Sequence, residues 1–267
     1  MSSSQSATRS RKFGTVTVTP DFGEFVYRDK KLGDTEAITV ATAADVFCPT
    51  STTLLLLRAA RRQLARRPRS VLDLGCGCGV VAVVLAKCGP PDLEVSASDL
   101  SAAAVRLARY NAERLGLAVD CRRGSLFEPW AGRRFDLVVD DVAGVAEPLA
   151  RVSGWYPPGV PSDAGRDGTR WILEVVAEAA DHLTPGGCLL FPLLTLSREP
   201  PVVELARRRF ARVELVEEQW YPLSDELLAH FALLEELQAD GGVRIEKQGS
   251  RWCWATTVYA ASGRGRT

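Results

Sequence analysis

The sequence predicts an α/β fold: a mostly parallel sheet with helices on both faces, preceded by a small β/α appendage. Three observations predict it. Short apolar runs alternate with helical segments from Val71 to Ala260. The first run, Val71–Leu74, ends in the glycine-dense turn Gly75-Cys76-Gly77-Cys78-Gly79, which opens into the apolar segment Val80–Ala86. Carboxylates stand at the ends of successive runs, at Asp73, Asp99 and the pair Asp140-Asp141.

The elements follow in order. Residues 1–12 are rich in Ser, Arg and Lys with no acid, and read as a disordered tail. Residues 13–66 are expected to be a lid-like appendage. Alternation over Phe13–Val18, Phe22–Tyr27 and Glu36–Val40 predicts an antiparallel meander, too small to be stable alone. A helix over Leu54–Ala65, capped by Thr52 or Thr53, carries Leu54, Leu57, Ala60 and Leu64 on one stripe and Arg58, Arg61, Arg62 and Arg66 on a solvated face. Residues 67–262 form the main domain. After the first strand and its helix come strand Leu93–Asp99, helix Ala102–Leu115 capped by Ser101, strand Ala118–Arg122 and a buried strand from Phe135 to Asp141. Helix Arg170–Leu183, a turn at Thr184–Gly187, strand Cys188–Leu194, helix Val202–Arg209, strand Arg212–Glu218, helix Asp225–Gln238 and strand Arg251–Ala260 complete the pattern.

Bulk properties narrow the function. The 267 residues, 46% hydrophobic, suffice for one full α/β domain and the appendage. Zero formal net charge gives no long-range attraction for nucleic acid or an anionic membrane. No apolar run approaches the roughly 18 residues of a membrane span. Seven scattered cysteines without a secretory leader point to a reducing cytoplasm and free, buried thiols. Cys76-x-Cys78 has no second Cys/His pair at zinc spacing, so no metal is expected.

The strand–turn–helix order presents backbone N–H groups to a polar ligand, and glycine permits close approach. Gly77-x-Gly79-x-x-Ala82 fits a dinucleotide fingerprint, which would make the chain an NAD-dependent dehydrogenase. The other ligand is S-adenosylmethionine. Asp73 is awkward beside a pyrophosphate and useful beside an ammonium. Asp99, twenty residues after Gly79, can accept both ribose hydroxyls of either ligand.

Asp73-Leu74-Gly75-x-Gly77-x-Gly79 with Asp99 resembles class I S-adenosylmethionine-dependent methyltransferases. The resemblance implies a Rossmann-like, seven-stranded, mostly parallel sheet whose last strand is antiparallel. It implies S-adenosyl-L-methionine as cofactor, leaving as S-adenosyl-L-homocysteine. It places Asp73, Gly75, Cys76, Gly77, Asp99, Leu100, Ser125, Leu126 and Asp140 at the cofactor, with Ser125 facing the adenine and Phe127 packing either there or in the core.

Phe47-Cys48-Pro49-x-x-Thr52-Thr53, Asp167-Gly168 and Leu183-Thr184-Pro185-Gly186-Gly187 are similar to the HemK-like branch, glutamine N5-methyltransferases of release factors and ribosomal proteins. That branch carries Asn-Pro-Pro-Tyr where this chain has Asp141-Val142-Ala143-Gly144. An Asn side chain donates and accepts, which suits a neutral amide. An ionised Asp only accepts, so Asp140 and Asp141 would prefer a cationic, donor-rich nitrogen and could take up its proton. Neighbouring strand residues face opposite ways, so one carboxylate reaches the methyl, and register with the motif makes it Asp141. Asp141, Trp155 and Tyr156 are the expected acceptor contacts, the rings stacking on a cation. The expected reaction is N-methylation of a guanidino or amine nitrogen on a small molecule or amino-acid side chain. The alternatives are a protein glutamine amide, a binding module that has lost the chemistry, and the dehydrogenase.

Overall fold

The structure is a computed structural model, and it describes residues 9–11, 14–18, 23–28, 37–156, 159–160 and 162–265. Four strands, β1 (Arg9–Arg11), β2 (Gly14–Val18), β3 (Gly23–Arg28) and β4 (Ala37–Thr42), pair antiparallel in chain order. This is the expected meander with one strand more: Arg9–Arg11, within the stretch read as a tail, pairs its backbone with the edge of β2. The rest of that stretch lies outside the described residues.

Helix α1 (Ser51–Gln63) follows, two to three residues earlier than the apolar stripe suggested. Its N-cap is Thr50, not Thr52 or Thr53. The Thr50 hydroxyl accepts from the Thr52 N–H, and Thr53 answers by accepting from the Thr50 N–H in a capping box. Leu55, Leu56, Leu57, Ala59 and Ala60 are buried, while Leu54 is only half-buried. That face is wider than the predicted stripe because the helix lies between the meander and the main sheet. Arg58 and Arg62 reach Glu217 on a sheet strand, so this face is ion-paired rather than simply solvated.

The main domain contains β5 (Ser70–Leu74), α2 (Val80–Cys88), β6 (Glu94–Asp99), α3 (Ala102–Arg114), β7 (Val119–Arg123) and β8 (Phe135–Asp140). A short α4 (Glu147–Val152), α5 (Arg170–Ala179), β9 (Leu183–Leu194) and α6 (Glu199–Arg209) come next. Then follow β10 (Phe210–Pro222), α7 (Asp225–Leu228), α8 (Phe231–Ala239), β11 (Glu246–Gln248) and β12 (Arg251–Arg264). The sheet runs β10-β12-β9-β8-β5-β6-β7, with β11 hanging on β12. The strands β9, β8, β5, β6 and the edge strand β7 are parallel, and β12 inserts antiparallel between β9 and β10. That is the Rossmann-like arrangement expected.

Three local differences have local causes. The single helix expected over 225–238 breaks in two at His230, whose backbone leaves the helical region. The turn at Thr184–Gly187 lies inside β9 as a bulge: Phe135 pairs with Leu183 and Leu137 with Cys188, so the extra residues stay unpaired. Helix α4 and strand β11 were too short to give a periodic signal.

The appendage packs on the main domain. Phe25, Tyr27, Ile38 and Val40 share one apolar cluster with Leu55 and Leu56 of α1 and Val81 and Val84 of α2. Asn111 of α3, fully buried, accepts from the Ala41 N–H at 2.7 Å and donates to the carbonyls of Ala41 and Cys78, each at 2.9 Å. One amide thereby joins the edge of the meander, a sheet-covering helix and the glycine turn.

Candidate active site

The site forms where β5, β6 and β8 end, at the crevice where open parallel sheets place ligands. The β5 chain reverses at Gly75, Gly77 and Gly79, with φ of 71°, 51° and 80°. The turn is pinned to β6 by the N–H groups of Gly75 and Cys76, both donating to the Ser98 carbonyl. A Cβ on Gly75 would lie 3.0 Å from the Asp141 carbonyl and 3.1 Å from Val142 Cα, so this glycine lets the turn meet the chain leaving β8. Gly79 has a different task. A Cβ there would stand 2.8 Å from the Ala108 Cβ, so it permits the start of α2 to touch α3.

Asp99 closes β6. Its Oδ2 accepts from the Gly77 N–H at 2.9 Å and its Oδ1 from the Ser101 N–H at 2.8 Å. Both oxygens keep lone pairs for ribose hydroxyls. Burial raises its carboxyl above the usual range, and the two N–H bonds oppose that shift. Leu100 is 46% exposed on the cleft, an apolar surface beside the acid. Gly124, Ser125 and Leu126 line the same end, with Leu126 in the left-handed region at φ 42°. Such strain concentrates at binding sites.

The structure brings Gly75, Gly77, Asp99, Leu100, Ser125, Leu126, Asp140, Asp141, Trp155 and Tyr156 onto one cleft of about 1320 Å³. Asp73 and Cys76 are not on its wall. Asp73 is fully buried behind the turn, where its Oδ2 accepts from the Ala82 N–H at 3.0 Å. The sequence reading aimed it at the ligand; the first turn of α2 holds its Oδ2, while its Oδ1 is buried and unpartnered among the described residues. Burial pushes its carboxyl well above the ordinary value, and the charge of Asp141 adds to that. Phe127 is core: it stacks on His182 with ring centroids 4.4 Å apart.

Asp140 and Asp141 both line the cleft, although neighbouring strand residues were expected to diverge. The strand ends at Asp140, so the alternation no longer holds one residue later. Asp140 is buried; its Oδ1 accepts from the Val142 N–H at 3.3 Å and its Oδ2 is unpartnered among the described residues. Its carboxyl is pushed well up by burial. Asp141 Oδ2 accepts from the Thr53 hydroxyl at 2.8 Å. Burial raises its carboxyl to about 6, against the lowering effect of that bond.

An aromatic wall lines the same cleft as these carboxylates. Phe47 and Tyr156 touch with centroids 5.0 Å apart. Trp254 lies 5.3 Å from Trp155 and 5.1 Å from Tyr221. All five line the cleft. Burial and the Asp141 charge raise the Tyr156 phenol. Sequence reading missed Tyr221 and Trp254, which face each other through the β10–β12 register, a pairing no local pattern reveals. It also missed Thr53 as a partner of Asp141, having placed it only in a motif and a helix start.

The donor set decides between the two ligands. Five carboxylates line the cleft, from Asp45, Asp99, Asp140, Asp141 and Asp163, and among the described residues Arg251 is its one basic side chain. A pyrophosphate would meet like charge there, whereas a sulfonium and an ammonium would be attracted. The unpartnered Asp140 oxygen and the glycine turn fit S-adenosylmethionine.

Comparisons with known proteins agree. A family model described as the methyltransferase small domain matches residues 37–141. The release factor glutamine methyltransferase of Geobacter sulfurreducens is 37% identical over 152 residues, covering 55% of this chain and 53% of its own. That of Bordetella pertussis is 38% identical over 156 residues, covering 56% and 57%. The chain thus spans only about half the length of these relatives. A Thermus thermophilus 16S rRNA N2 G1207 methyltransferase, solved with AdoMet and guanosine, superposes with a TM-score of 0.56 at 20% identity, over 92% of this chain and 52% of its own. The chain shares its fold with that methyltransferase, and its similarity to the methyltransferase small domain covers residues 37–141.

Proposed function

We propose that this chain is an enzyme, an S-adenosylmethionine-dependent N-methyltransferase, with residues 13–66 as lid and 67–262 as cofactor domain. The observation that carries the reading is Asp99, tied to the glycine turn, on a cleft whose charged groups are nearly all carboxylates. When bound, the cofactor supplies a methyl group made electrophilic by a sulfonium. Asp99 holds the ribose hydroxyls. Gly75 and Gly77 let the methionine part lie against backbone, and Asp140 gives its unpartnered oxygen to a cationic group. Leu100, Ser125 and Leu126 bound the adenine end. Asp73 and Cys76 serve by fixing the turn. Phe47 and Tyr156 cover the acceptor side and exclude water.

Asp141 meets the acceptor nitrogen. A nitrogen that takes a methyl must lose a proton, and Asp141, with its carboxyl near 6, is ionised at neutral pH and basic enough to receive it. The names of the relatives support a protein glutamine amide as acceptor better than the cationic nitrogen read from the sequence. One observation favours the cationic reading, the aromatic wall that shares the cleft with Asp141 and includes Tyr156 beside it, which suits a guanidinium or ammonium. The rRNA enzyme with a similar fold keeps a base amino group in the substrate screen, although this chain has zero net charge. Free thiols at all seven cysteines, and no helix among the described residues able to cross a membrane, support a cytoplasmic protein.

The test has two stages. Thermal shift with S-adenosylhomocysteine at 100 times its Kd should stabilise by about 2.7 kcal/mol, and NAD should not. Labelled methyl donor is then offered with a glutamine-containing peptide, agmatine and guanosine. Failure to bind S-adenosylhomocysteine sinks the enzyme class; labelling of the peptide alone decides for the amide.

A further inference from the structure

The bond between Thr53 and Asp141 spans 88 positions and joins the first turn of α1 to the end of β8. Its direction is fixed by a second bond. Thr53 Oγ1 lies 3.2 Å from the Thr50 amide nitrogen, which has a hydrogen to give and no lone pair. The Thr53 oxygen therefore accepts there, and its own hydrogen is committed to Asp141 Oδ2. A protonated Oδ2 would be the weaker acceptor for that hydrogen, so the bond favours a proton on Oδ1, which makes no hydrogen bond among the described residues. The other ionisable groups near Asp141 are Asp73 on β5, its neighbour Asp140, and Tyr156 on the segment after α4, and none donates to its carboxylate. The same helix turn carries Ser51, whose carbonyl accepts from the Tyr221 hydroxyl at 3.4 Å, so one turn anchors both the carboxylate and the aromatic wall.

We propose that Thr53 is a positioning residue of the acceptor site: the helix cap fixes its hydroxyl to donate to Asp141 Oδ2, leaving Oδ1 as the atom that meets the acceptor nitrogen and takes its proton. This rests on the methyltransferase reading, because that reading assigns Asp141 to the acceptor.

The test needs no identified acceptor. Aspartate carboxyl carbons are labelled with ¹³C and titrated by NMR in the wild type, Thr53→Val and Thr53→Ser, with Asp141→Asn to assign the signal. Valine keeps the shape without the donor; serine keeps the donor. Thr53→Val should raise the Asp141 midpoint by roughly one pH unit, since a hydrogen bond to the charged form is lost, and serine should restore it to within a few tenths. An unmoved or lowered midpoint in folded Thr53→Val overturns the proposal. If that variant does not fold, the wild type decides. A slowly exchanging Thr53 hydroxyl proton that vanishes in Asp141→Ala supports the bond, and rapid exchange in the wild type overturns it. S-adenosylhomocysteine affinity, measured in parallel, should change less than twofold. Its absence in the wild type would defeat the methyltransferase reading and leave the titration result standing. Once an acceptor is known, Thr53→Val should lower kcat at nearly constant KM.

Discussion

Gly79→Ala gives a demanding test of how the cofactor turn is built. The residue sits at φ 80°, where an alanine pays about 1–2 kcal/mol for a left-handed backbone. The new methyl would also stand 2.8 Å from the Ala108 Cβ and 2.9 Å from the Ala108 Cα. Neither atom is the end of a flexible side chain, so α2 or α3 must move, and overpacking of this kind costs about 1–3 kcal/mol. The sum is about 2–5 kcal/mol. At roughly 2–4 °C per kcal/mol for a chain of this size, Tm should fall by about 4–20 °C in a calorimetric scan. Ala108→Gly in the same chain removes one of the two clashing atoms and leaves the backbone term. It should recover only part of the loss, because glycine in a helix costs about 1 kcal/mol itself. A Gly79→Ala protein melting within 2 °C of wild type would refute the close approach of the two helices, and full recovery in the double variant would refute the cost assigned to the left-handed backbone.

Other outcomes follow from the same geometry. Asp99→Ala should lose most of the thermal stabilisation by S-adenosylhomocysteine while its own melting shifts little by comparison, read by ligand titration. Asp73 has its folded-state carboxyl raised, so the folded protein binds the extra proton and stability falls as pH rises above the unfolded value of about 3.9. Asp73→Asn should therefore gain on wild type as pH goes from 5 to 8, and a Tm difference that shrinks over that range would contradict the burial argument. With Asp141 as proton acceptor, methyl transfer at low substrate should rise through a limb centred about 6 and then level off. Asp141→Asn should abolish that limb, measured as kcat/KM against pH. Asn111→Ala leaves an N–H and two carbonyls short of a partner and should cost about 2–5 kcal/mol, with faster hydrogen exchange at Ala37–Thr42.

Much of this was legible in the chain because it is local. The turn from Gly75 to Gly79 needs positive φ at three positions, and glycine announces that directly. Ser101 was found as a helix cap because cap and helix adjoin. Asp99 was legible because a strand end followed by a capped helix points a carboxylate at the preceding turn. What was not legible was long-range. Nothing near Asp73 says that the Ala82 N–H takes its oxygen, and a strand-end carboxylate looks the same whether it faces ligand or backbone. The Tyr221–Trp254 pair exists only once two strands from the far half of the chain are in register. The start of α1 was misread because its leucines signal the buried stripe, whereas the cap is set by Thr50 and Thr53, upstream of the first leucine and beside it.

The Asn111 side chain carries a consequence for rebuilding this chain. A foreign appendage grafted in place of residues 13–66 would arrive without the Ala41 backbone that this amide reads, and would strand a polar group in the interior next to the glycine turn. Swapping front ends therefore requires carrying position 111 and its docking strand together, as one transplantable unit.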